Sequence, residues 1–340
     1  MLMLENDSLR FCFPQVHAEA SCRVTFERTL RIPDDNGEYP LPPSLGRFPM
    51  RLVDEYADQV PDDWQAHGGV LLPMYQSEAL WIDLHGGYPC AVKVATGKVN
   101  AITGAPWQLG LNSDPQDYVV IPIQPWLDGF CVSEGLIRQF VAMPLGEGYT
   151  AEEQITDSAE HGGLQLAVYP MKAEVYKEIL RERERERQRE ARLRLEEGGL
   201  EYQDIPVFSR SPSPRSMGMA AGGLMHQTIH KDTYGQEVWD QTQPIRCFVH
   251  LLNSQQYQTV TGERPPKPPF DARDYAKAGL PWFHHYSNEP GLAGSGVLAK
   301  LRGLATMTVA KAGKPMAGNK PLGPLPVKTL GKKVIRDGEF

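Results

Sequence analysis

Apolar and polar residues alternate with a period near two along several stretches of this chain, as half-buried strands do. Cys22-Arg-Val-Thr-Phe-Glu-Arg-Thr-Leu-Arg-Ile32 is one of them, and Pro33-Asp-Asp-Asn-Gly37 ends it in a turn. Between residues 69 and 172 the pattern predicts strands over 70–75, 78–84, 90–95, 118–123, 137–142 and 164–169. Gly-Gly, Thr-Gly-Lys and Asp-Pro signals separate them. One short helix is marked in this region. Thr150-Ala-Glu-Glu153 is a capping box, which satisfies two amides at a helix start, and His161-Gly-Gly163 stops the segment.

The pattern changes at residue 172. Arg181-Glu-Arg-Glu-Arg-Glu-Arg187 alternates strictly in charge. On a helix this sets opposite charges at i,i+3 and like charges at i,i+4, so side-chain pairing partly cancels. Arg, Glu, Leu and Ala favour helix by propensity, and a solvated helix with a narrow apolar stripe at Val175, Ile179 and Leu180 is expected. Ser209-Arg-Ser-Pro-Ser-Pro-Arg-Ser216 has the composition of a linker. Asp271 to Gly279 reads as another short helix, with an acidic start, a late Lys and a Gly stop.

A weak echo runs through the chain. Tyr75-Gln-Ser-Glu78, Trp81, Cys90-Ala-Val-Lys93-Val94 and Ile102-Thr-Gly104 recur as Tyr234-Gly-Gln-Glu237, Trp239, Cys247-Phe-Val-His250-Leu251 and Val260-Thr-Gly262. Either the chain holds an internal duplication or similar turn chemistry recurs. On a strand, Cys90, Val92 and Val94 face a core, as do Cys247, Val249 and Leu251; Lys93 and His250 then occupy matching places on the other face. The expected fold is α+β and β-rich, with two packed β-units, a charged helical insertion and a basic flexible tail. The boundaries read as 1–172 for a β-rich domain, 173–216 for charged helix and linker, 217–289 for a second β-unit, and 290–340 for a mobile tail.

Composition adds exclusions. With 340 residues, 41% hydrophobic and 23% charged, the chain is neither wholly disordered nor an integral membrane protein of the helical kind. The net charge of -7 is the wrong sign for a duplex-wrapping protein. Residues 290–336, however, hold nine Lys or Arg and no Asp or Glu, so an acidic body carries a basic end. Five scattered cysteines without a CxxC pair read as reduced thiols, and Met1-Leu-Met-Leu4 before Glu5 makes no secretory core. A cytoplasmic location is expected, with no transmembrane segment.

Gly87-Tyr-Pro-Cys-Ala-Val-Lys-Val94, Ile137-Arg-Gln-Phe-Val-Ala-Met-Pro144 and Ala278-Gly-Leu-Pro-Trp-Phe283 resemble runs in a family of bacterial proteins with no assigned activity. The resemblance spans most of residues 20–290. It implies a bacterial source and no fold, cofactor or site residue.

The motifs for chemistry are sparse. Gly146-Glu-Gly148-Tyr-Thr-Ala151 matches a relaxed dinucleotide fingerprint, but the following strand ends in Tyr-Pro rather than in an acid for a ribose. His226-Gln-Thr-Ile-His230 has the spacing of two metal ligands on a helix, yet Gln227 stands where a zincin has its Glu. Metal ligation by His226 and His230, with Glu237, Asp240 or His250 as a third ligand, stays open beside a loop or strand with polar histidines. Lys93, His250, Glu78, Glu237, Asp83 and Asp240 are the ligand-binding candidates, although a carboxylate flanking a tryptophan often serves as a structural acceptor. No catalytic residue and no cofactor is assigned. The expected function is a non-enzymatic binding or assembly protein, acting through a protein partner or self-association. The alternatives are a metal-dependent hydrolase, and a nucleic-acid or anionic-surface tether through the tail.

Overall fold

Seventeen of the described strands pair into one hydrogen-bonded sheet, arranged as two wings that share a core, and Trp282–His285 pairs in parallel with Val327–Leu330 in a separate two-stranded sheet. The computed structural model describes residues 1–35, 37–194, 217–285, 290–314, 316 and 318–330, with backbone alone from 186 to 194 and at 330. In the first wing the order is Leu9–Cys12, Ser21–Thr29, Ala79–His85, Leu136–Pro144 and Met217–His226, each antiparallel to its neighbour. The second wing runs Val70–Pro73, Ile245–Leu252, Leu164–Pro170, Cys90–Thr96 and Val119–Ile121. Its first pair is parallel and the rest antiparallel. One register pair, Met217 with Leu251, joins the wings.

Alternation supplies the core. Phe26, Ile82 and Phe140 from the first wing meet Val94, Leu166 and Leu251 from the second in one buried cluster. Each such side chain is worth about 1.5–3 kcal/mol when fully buried. All six strands expected between residues 69 and 172 are present. The capping box forms as read: Thr150 Oγ1 accepts from the Glu153 amide, Glu153 answers the Thr150 amide, and the helix Ala151–Thr156 follows.

Several expectations need correction. The strands Met217–His226 and Ile245–Leu252 pair within the same sheet as strands of residues 1–172. Met217–His226 pairs along Leu136–Pro144, and Ile245–Leu252 inserts between Val70–Pro73 and Leu164–Pro170. The Thr-Gly echo joins unlike structures: Thr103-Gly104 lies in a turn, whereas Thr261 ends the helix Ser254–Thr261. What recurs is a left-handed glycine, with φ of 71° at Gly104 and 69° at Gly262. His226 ends a strand and His230 sits in a bridge with Gly291, so the pair lies on no helix.

The basic end is not loose over its described residues. Leu298, Leu301, Leu304 and Met307 are buried, and the helix Leu304–Ala312 packs on Ala79, Val141 and Ala220 of the first wing's outer face. Asp34 holds the start of that helix. It accepts from the Ala305 amide at 2.9 Å and pairs with Arg138 at 3.0 Å. The nine cations and many Gly and Pro residues obscure this apolar stripe in the sequence. The charged run does continue a helix, Ala173–Arg194, with Val175, Tyr176 and Ile179 against the core. The Ser209–Ser216 linker lies outside the described residues. Among the described residues no helix is long and apolar enough to cross a membrane.

Candidate functional site

The second wing carries its outer face under short helices. The helix Asp62–His67 crosses the end of Ile245–Leu252, and the loop before Leu164–Pro170 closes one side. Trp64 and His67, three apart, share a helix face; Phe248 and His250, two apart, share a strand face. The faces meet ring on ring. Trp64 stacks on His250 with centroids 4.5 Å apart, and His67 lies 4.7 Å from Phe248. The chain reaches this contact through Gly68-Gly69. At Gly69, with φ of 94°, a Cβ would fall 2.1 Å from the Phe248 carbonyl oxygen, so only glycine fits. A recess of about 420 Å³ opens beside the stack, lined by Asp63, Trp64, His67, His161, Gln165 and His250 among others.

Its polar groups are unequally satisfied. His250 Nε2 lies 2.9 Å from the Gly68 carbonyl oxygen, and burial holds the imidazole down at about 4, so it is neutral near pH 7. Gln165 is engaged at both ends, donating to Gly97 O and accepting from Arg246. His161 Nε2 is buried without a hydrogen bond, although Glu160 Oε2 stands 3.4 Å away out of alignment. A buried ring nitrogen left unpaired costs on the order of 1–3 kcal/mol. Among the described residues the charged groups lining the recess are Asp63 and Glu160, while the Arg246 guanidinium stands at its edge, 3.4 Å from Gln165 Oε1 and 5.2 Å from the Phe248 ring. The recess therefore suits a small ligand that brings hydrogen-bond donors and positive charge to an aromatic wall.

The remaining sequence candidates lie elsewhere. Lys93 shares the sheet face of His250 through the intervening strand Leu164–Pro170, but stands roughly 16 Å away by strand spacing. It donates to Gly110 O at 2.7 Å, pairs with Asp117 and lies 5.7 Å from the Trp107 ring, pinning the 107–117 segment. Glu78 is fully buried and takes Arg28 Nε at 2.7 Å and the Tyr75 amide at 2.8 Å. Burial pushes the Glu78 carboxyl up while Arg28 pulls it down. Asp83 shares the Thr25 hydroxyl with Glu27, and burial with the Glu27 charge pushes Asp83 up. Asp240 turns back on Thr242, and Glu237 gives its backbone carbonyl to Lys172. His226 faces Glu38 at 3.5 Å, while the His230 amide donates to Gln124. Among the described residues no group of three or more His, Cys, Asp or Glu is placed to hold a metal ion.

Sequence reasoning reached His250 through alternation and missed Trp64, His161 and Asp63. The available signal was the Trp64-x-x-His67 spacing just before Gly68-Gly69, a ring-bearing helix face next to a tight stop. Comparison with protein-family models, curated proteins and solved structures finds no match.

Proposed function

We propose that the protein is a non-catalytic binding protein that takes a small organic cation into the recess under Asp62–His67. The observation that carries this reading is His161 Nε2, buried without a hydrogen bond and 3.4 Å from Glu160 Oε2, in a cavity lined by Asp63 and Glu160. An ammonium or amidinium donates to that nitrogen, balances Asp63 and Glu160, and lays its apolar body along Trp64. Two of the five thiols fit a non-catalytic role: burial pushes Cys131 and Cys247 up to about 12, far from the thiolate a nucleophile needs. In this reading a small ligand, rather than a protein partner, is the primary cargo.

The test is calorimetric titration of the full chain with benzamidine and benzylamine, against benzyl alcohol and benzoate. The two cations are expected to bind, and both Asp63→Asn and His161→Ala to weaken them at least tenfold. Benzoate binding as tightly as benzylamine, or cation binding unchanged in both variants, refutes the proposal.

A further inference from the structure

A second cavity of about 400 Å³ lies on the outer face of the first wing, lined by Arg10, Arg23, His85, Gly86, Gly87 and Tyr88 among others. Strand register explains its charge. Arg10 is directly opposite Arg23, and Arg23 directly opposite His85, so three basic side chains form one row across three neighbouring strands. Register partners share a sheet face, and like charges opposite one another repel. An acidic chain is an unexpected place for such a row.

Nearby acids offset part of it. Glu5 touches Arg10 at 3.8 Å with both side chains nearly half exposed, an arrangement worth little. Glu19 also lines the cavity, keeping its charge while it accepts from the Tyr176 hydroxyl at 2.9 Å. Asp83, two residues before His85, shares the Thr25 hydroxyl with Glu27 and is attracted to His85. Among the described residues Arg23 has no ion-pair partner. Backbone donors stand at the end of the row. The Gly86 and Gly87 amides have no backbone acceptor among the described residues, and a Cβ at Gly87 would meet nothing within 4 Å.

We infer that this cavity is an anion site for the phosphate group of a small phosphomonoester. Two guanidiniums, an imidazole and the Gly86 and Gly87 amides match the several oxygens of a phosphate, and arginine forks pair with such oxygens two at a time. The cavity exceeds the size of bare phosphate, and Tyr88 and Tyr176, with ring centroids 4.2 Å apart, wall the space left for an organic group. The site is separate from the His250 recess and selects the opposite ligand charge, so either proposal stands without the other.

The test uses the full chain, titrated with inorganic phosphate, phenyl phosphate and benzoate, and sedimented with vesicles containing phosphatidic acid. Phenyl phosphate is expected to bind more tightly than phosphate, and benzoate more weakly than either. Arg23→Gln, at the centre of the row, is expected to weaken phenyl phosphate at least tenfold. Arg23→Gln is also expected to raise the melting temperature of the unliganded protein at low salt, because it removes the repulsion. A control exchange away from the row, Lys98→Gln, is expected to change neither. Binding of phenyl phosphate unchanged in Arg23→Gln overturns the inference, as does failure of all soluble phosphates to bind. Retention on vesicles alone reassigns the row to a lipid surface and also overturns it.

Discussion

His250 ties the stability of the second wing to pH. Its imidazole is held at about 4, against 6.5 for a free histidine, chiefly by burial under Trp64 with a contribution from His67. The unfolded chain therefore binds a proton that the folded chain refuses between those two values. Stability is full above the unfolded value and falls as pH drops through the window, because the unfolded state takes up the extra proton. At 1.36 kcal/mol per unit the whole effect is about 3 kcal/mol, of which about 2 kcal/mol is lost by pH 5. The perturbation is His250→Phe, which keeps a ring against Trp64 and removes the titration. Urea unfolding followed by tryptophan fluorescence at pH 7 and pH 5 measures both proteins. Carboxylates and other histidines titrate in both, so the difference isolates position 250. The wild-type protein is expected to lose about 2 kcal/mol more than the variant over this interval. Equal losses would refute the reasoning, and a larger loss in the variant would reverse its sign.

Three further outcomes are expected. Gly69→Ala puts a Cβ 2.1 Å from the Phe248 carbonyl oxygen and costs at least about 2 kcal/mol in urea unfolding, whereas Gly68→Ala, with nothing within 4 Å, costs about 1 kcal/mol. Glu78→Gln leaves the Arg28 charge buried and costs about 3–5 kcal/mol, while the Arg28→Met, Glu78→Leu double variant recovers much of that loss under the same denaturation. Deleting residues 290–340 uncovers the apolar contacts of Leu298, Leu301, Leu304 and Met307, so a lower melting temperature and binding of a hydrophobic dye are expected. A deletion variant that melts with the full chain would contradict the packing of the helix Leu304–Ala312.

The residues that advertised their structure did so through local rules. The period-two runs located Cys90–Thr96, Leu136–Pro144 and Leu164–Pro170, and the Thr150–Glu153 spacing located a helix start. Met217–His226 was invisible because its glycines and alanines carry little strand propensity. Only the assembled sheet shows why they are small: a Cβ at Gly223 would fall 2.1 Å from the Pro33 carbonyl oxygen. The echo misled for a related reason, since a glycine at positive φ serves a turn and a helix end equally well. Alternation put Lys93 and His250 at matching positions of two separate strands, but that both strands lie in one sheet depends on the intervening strand Leu164–Pro170, which is remote in sequence from Ile245–Leu252. The His250 recess joins residues near 64, 161 and 250, and the basic row joins residues 10, 23 and 85. Both arise from register, which no window along the chain contains.

Synthesis on the ribosome gives the strand order a temporal meaning. Val70–Pro73 and Leu164–Pro170 are made long before Ile245–Leu252, which must enter between them. Until then the edges of both earlier strands offer unpaired amides and carbonyls, the groups that recruit foreign strands. The patch at Ala79, Val141 and Ala220 waits longer still, for the helix Leu304–Ala312 that covers it. The nascent chain thus exposes its most adhesive surfaces through most of its elongation. Non-local closure of this kind is slow and leaves a chain open to aggregation until the last strands arrive.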